Sequence, residues 1–272
     1  MGRALRRYRE GLGFTLDDAA RALECDRSKI SRIETGQRGI RSKELRELLA
    51  EYGVAGEQQA LLTALADPRG GFGWHRDYTS VLPGAWHDYL TLETAATAIA
   101  AYDAQQVPGL LQTPAYARAL AETDPALSDD AARDRAAKAV LARQQAILGA
   151  ARPEVHLVIG QAALHQQVGS KPAMDEQLGA LAAAAGDSGT VAVQVLPFES
   201  GAHAAVGDGS LAILRFAGAP GLGLVHLGGI GGGVCLEDRD DLEAYARVFE
   251  QLRAFALSPA QSALLLRGLA GD

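Results

Sequence analysis

A chain of 272 residues, 48% hydrophobic and 22% charged, is long enough for two domains and apolar enough to build real cores, which excludes wholesale disorder. Cys25 and Cys235 are the only cysteines, which excludes a disulfide framework and fits a reducing compartment. The net charge of −7 disfavours a nucleic-acid partner only until its distribution is read, because residues 1–52 carry 12 Lys+Arg against 9 Asp+Glu and the remainder carries 14 against 24. A basic head ahead of an acidic body is the asymmetry of an interaction domain. The opening MGRALRRYREGLGF lacks a continuous apolar run, and no stretch approaches the roughly 20 apolar residues of a spanning helix, so neither export nor membrane insertion is expected.

In the head, apolar positions fall into five helical groups. Leu5 and Tyr8 form the first, Leu16 to Leu23 the second, Ile30 and Ile33 the third. Leu45, Leu48, Leu49 and Tyr52 follow at i, i+3, i+4, i+7, and Leu61, Leu62 and Leu65 close the series. Thr15 and Asp26 stand at helix starts, and Gly13, Gly36 and Gly53 at exits. Periodicity is lost in DPRGGFGWHRD, which reads as a linker or clasp and sets the boundary, so that 1–67 is one domain and 68–272 another.

Leu92, Ala95, Ala96, Ile99 and Tyr102 trace a helix, Thr113-Pro114 caps a second, and Ser128 with Asp129 and Asp130 opens a third. Strand-length runs then appear at 155–159, 190–196, 211–216 and 222–227, with a helix near 172–186 and a last helix at 239–256 expected to close the fold. The expected fold class is therefore a mainly α, five-helix head followed by a mixed α+β body.

The segment TLDDAARALECDRSKISRIETGQR, residues 15–38, carries the chemistry. Two short helices joined by a tight turn display Arg27, Ser28, Lys29, Ser31 and Arg32 while Ile30 and Ile33 point inward. Arginine donates twice to guanine O6 and N7, serine serves either base type, and lysine reaches guanine or phosphate, so this is a recognition helix for the DNA major groove. The stretch Ser31-Arg32-Ile33-Glu34-Thr35-Gly36, with Ala20 in the preceding helix, resembles the XRE, or phage-repressor-like, helix-turn-helix family. The resemblance implies that Arg27, Ser28 and Arg32 read bases, that Thr35, Gln37 and Arg38 hold phosphates, and that Glu34 pairs with Arg9 of the first helix. Two positions depart from the family: Leu16 stands where a backbone-touching glutamine is common, and Glu24 where a turn glycine is common, which implies an altered turn.

In the body, Leu92-Glu93, Val107 to Thr113, Tyr116 to Ala119, Arg143-Gln144, Met174 to Leu178 and Val195 to Phe198 with Gly201 and His203 resemble the C-terminal domain of actinobacterial XRE regulators of the WhiJ type. That resemblance implies an antitoxin-like regulator with a small protein partner or effector. Gln161 and His226-Leu227-Gly228 depart from it. Pro108, Leu110, Leu111 and Tyr116 follow a rigid turn and belong either to the core or to a partner or dimer face.

Enzymatic signals are weak. GLGLVHLGGIGGGV satisfies no G-x-G-x-x-G register, the six histidines lack metal-ligand spacing, and Glu93 shows no partner in sequence. No catalytic residue, metal or cofactor is expected. The reading is a cytoplasmic DNA-binding transcriptional regulator, associated with the nucleoid when on DNA, expected to be a homodimeric repressor at a two-fold operator. The alternatives are an antitoxin-type protein that sequesters a small partner and autoregulates, and an enzyme domain fused to a DNA reader.

Overall fold

The computed structural model describes residues 1–271 apart from 67–72, 85, 152, 187–188, 208, 218–221 and 230–231. It divides into two compact units, Met1–Gly73 with Phe216–Leu222, and Trp74–Arg215 with Gly223–Asp272. The expected boundary near residue 68 lies outside the described residues.

The first unit holds five helices: α1 Gly2–Gly11, α2 Leu16–Ala22, α3 Arg27–Glu34, α4 Ser42–Glu51 and α5 Gly56–Ala66. Thr15 opens α2 with a capping box, its hydroxyl accepting from the Asp18 amide at 3.2 Å while the Asp18 carboxylate accepts from the Thr15 amide at 2.8 Å. Leu5, Ala19, Ile30, Ile33, Leu45, Leu48 and Leu49 are buried together, so each short helix contributes one apolar face to a shared core. Gly2 lets α1 meet the end of α3, since a Cβ there would sit 2.4 Å from the Ile33 carbonyl oxygen.

The second unit is built on a six-stranded mixed sheet. In chain order its elements are α6 Trp86–Ala95, β1 Ala98–Asp103, α7 Pro114–Thr123, α8 Asp130–Gln144, β2 Glu154–Gly160, α9 Gln161–His165, α10 Lys171–Gly186, β3 Val191–Leu196, β4 Ser210–Arg215, β5 Gly223–Leu227, β6 Val234–Leu236, α11 Arg239–Phe255 and α12 Pro259–Gly271. The strand order is β3-β2-β1-β4-β5-β6, parallel from β3 to β1 and antiparallel beyond. Helices cover both faces, as parallel strands require. Ile159, Val193 and Val195 pack with Tyr116, Leu178, Leu181 and Leu266, while Val158, Leu211, Ile213 and Val225 pack with Phe249 and Leu252.

Two expectations are corrected here. Residues 92–102 are not one helix: α6 ends at Ala95 and Ile99 and Tyr102 lie in β1, a central strand. The sequence AIAAYD is short and alanine-rich and is covered on both faces, so it lacks the alternation that identifies a half-exposed strand. The chain also continues past 256 into α12, which begins at Pro259 and buries Ala263 and Leu266.

Candidate nucleic-acid interface

Helix α3 is held from beneath. Ile30 and Ile33 are buried, and Arg9 of α1 grips Glu34 at its C-terminal end through Nε to Oε1 at 2.7 Å and Nη2 to Oε2 at 2.9 Å. Both residues are only 6% exposed, and Nη1 of Arg9 donates to the Phe14 carbonyl at 2.7 Å, so the guanidinium is satisfied on all sides. Hydrogen bonding to Glu34 raises the Arg9 pKa, and burial beside Glu34 pushes the Tyr52 phenol up to about 12. A fork-to-fork pair fixes direction as well as distance, so it sets the angle at which α3 leaves the core.

What α3 then displays is selective. Arg27, Ser28 and Arg32 are exposed, as are Thr35, Gln37 and Arg38 just beyond the helix. Arg32 spends only its Nε on the Ser28 carbonyl, at 3.1 Å, which leaves the end of its fork available. Arg27 lies 4.0 Å from Asp17, with both side chains largely exposed, so that pairing is weak. Ser31 is half-buried.

Lys29 is a correction. Its ammonium meets the Glu44 carboxylate of α4 at 2.7 Å with both side chains mostly covered, which ties it to the helix core rather than to the displayed face. Thr35 uses its hydroxyl on the Ser31 carbonyl at 2.8 Å, and that donor is already committed within the helix. The turn between α2 and α3 is made without a glycine. Glu24 itself adopts the left-handed backbone, with φ of 47°, at a cost of about 1–2 kcal/mol.

In the second unit, Pro108, Leu110 and Tyr116 are buried and Leu111 is half-buried, which favours the core over a partner or dimer face, the two alternatives left open by the sequence. Their turn is bolted inward: the Tyr116 hydroxyl accepts from the Val107 amide at 3.1 Å, and the Gln177 side chain both accepts from the Thr113 amide at 2.7 Å and donates to the Leu111 carbonyl at 2.8 Å. Glu93, read from sequence as a surface or structural carboxylate without a partner, is 1% exposed. It accepts from Nε and Nη2 of Arg143 at 2.7 and 2.6 Å and from the Tyr89 hydroxyl at 2.7 Å. No spacing in the sequence pointed to this pairing; Glu93 and Arg143 figured there only among the residues that carry the family resemblance.

No helix among the described residues is long and apolar enough to cross a membrane. Residues 1–62 match the family model described as a helix-turn-helix domain, which supports a DNA-binding regulator. No curated protein and no solved structure matches the chain. Residues 86–268, nearly all of the second unit, match the model described as "Domain of unknown function (DUF5753)", and the chain belongs to that family, with a helix-turn-helix domain preceding it.

Proposed function

We propose that this chain is a sequence-specific transcriptional regulator of the XRE type whose α3 enters the major groove, with Arg27, Ser28 and Arg32 reading bases and Gln37 and Arg38 holding phosphates. The supporting observation is the combination on α3 of an exposed Arg32 fork with a rigid buried underside, Ile30, Ile33 and the Arg9–Glu34 pair. A single helix-turn-helix makes too few contacts for tight specific binding, so the regulator acts as a dimer on a two-fold operator and represses by occupying it. The acidic second unit adds no DNA affinity of its own, because its charge repels phosphate at short range. It serves as the sensing half, taking up a small partner or effector as the likeness to WhiJ-type regulators implies, and it performs no catalysis.

Selection of bound fragments from a random DNA pool tests this reading. It is expected to return two related half-sites about one helical turn apart. Retention of DNA without sequence preference, or by a protein that stays monomeric on the selected site, would contradict it.

A further inference from the structure

The second unit contains a cavity of about 540 Å³, within the roughly 300–1,000 Å³ range of small-molecule sites. Its floor is one face of the sheet, where the cross-strand partners Ala101 and Ala212 carry side chains too small to fill the space above them. Its walls come from α6, from α8 and from the loop that follows β1.

The charges in this cavity do not balance. Glu93 and Arg143 neutralise one another through two short bonds. His226 bonds the Gly232 carbonyl through Nε2 at 2.8 Å, and burial lowers its pKa, so the ring is neutral. Asp103, at the end of β1, lines the same cavity, and among the described residues no hydrogen bond or ion pair reaches its carboxylate. The Arg143 field reaches it, but that guanidinium already spends Nε and Nη2 on Glu93. The Nη1 edge of Arg143 lies beside Gly109, where a Cβ would come within 2.9 Å, and makes no hydrogen bond among the described residues. With two carboxylates, Glu93 and Asp103, against one guanidinium, an anion entering the cavity would meet an unmatched negative charge.

We propose that this cavity is the effector site and that its ligand is a small organic cation, a protonated amine on an apolar body, whose ammonium pairs with Asp103. The body of such a ligand lies against Ile99, Ala101 and Leu110, and its positive charge replaces the neutralisation that the fold withholds from Asp103. The assignment as effector rests on reading the second unit as the sensing half of a regulator; the binding itself is independent of DNA.

The full chain is titrated calorimetrically, without DNA and near pH 8, with naphthylmethylamine, naphthylmethanol and naphthoate, which share one apolar body and differ in charge. The amine is expected to bind at least about tenfold more tightly than the alcohol, with naphthoate weakest, since a hydrogen bond to a buried charge is worth more than a neutral one. Asp103→Asn, and Asp103→Ser as a second variant, should erase the preference for the amine while keeping the affinity for the alcohol. Equal binding of the three probes, tightest binding of naphthoate, no binding of the amine, or an amine preference that survives both substitutions would overturn the proposal. Operator binding is measured separately on the same protein, so failure of the titration leaves the DNA reading standing, and loss of the DNA reading leaves the titration standing.

Discussion

Each unit contains a two-pronged arginine–glutamate pair, fully buried in the first and part-buried in the second, and the two pairs sit in opposite surroundings. Arg9 and Glu34 close on each other and on the Phe14 carbonyl inside a helical core. Arg143 and Glu93 make the same two-pronged contact, at distances as short, but on the wall of a cavity beside a third charge, Asp103, that nothing among the described residues pairs. A closed pair orients elements and has no capacity left over. A closed pair next to an open carboxylate fixes the wall of a site and leaves a charge for something else to satisfy, which is why the same chemistry reads as architecture in the head and as recognition in the body.

The comparison breaks most sharply at the head. Arg9→Met should cost about 3–5 kcal/mol in chemical denaturation because it strands a buried Glu34 carboxylate, whereas Arg9→Met combined with Glu34→Leu should recover most of that loss. If the double variant is as unstable as the single, the pair contributes more than orientation.

Asp103 sharpens the contrast through pH. Burial pushes its carboxyl up to about 6 from the ordinary 3.8, with the Arg143 field opposing. Other ionisable groups around it are Glu93 and Tyr89 on α6, Tyr102 on β1, Tyr116 on α7 and His226 on β5. The folded chain holds this proton more tightly than the unfolded chain, so the group carries no penalty below about pH 3.8, loses stability as pH rises through the interval to about 6, and bears the full penalty above it. Asp103→Asn should therefore stabilise the protein by about 2–3 kcal/mol near pH 8 and by little near pH 4, measured by denaturation at both pH values. A pH-dependent cost of this kind is what an unpaired carboxylate that serves a cationic ligand would carry. Equal effects at the two pH values would remove Asp103 from that role.

A smaller effect is expected in the turn before α3. Glu24→Gly should add about 1 kcal/mol of stability, because glycine adopts the left-handed backbone without the steric cost of a side chain. Thermal unfolding decides it, and a loss of stability would mean that the Glu24 side chain has a compensating role.

Legibility in the sequence followed range. The head could be read because its signals are local: Thr15 and Asp18 three residues apart, glycines at positive φ after α1, α3 and α4, and apolar spacing that matches the buried faces. The body hid its centre. β1 carries alanines where a strand signal would place branched residues, and those alanines are what leave the cavity open. Glu93 and Arg143 are 50 residues apart on two helices, a pairing no spacing rule reports. Lys29 looked equivalent to Arg27 and Arg32 by residue type, and only the approach of α4 turned it inward.

The central claim, that α3 reads DNA, is tested most directly by measuring operator and random-sequence affinities across a salt series for the full-length protein, Arg32→Ala and Arg38→Ala. Arg32→Ala should lose preference at one base position, while Arg38→Ala should weaken all sequences alike and flatten the salt dependence by about one phosphate contact. An Arg32→Ala protein that keeps full base preference would contradict the placement of α3 in the groove.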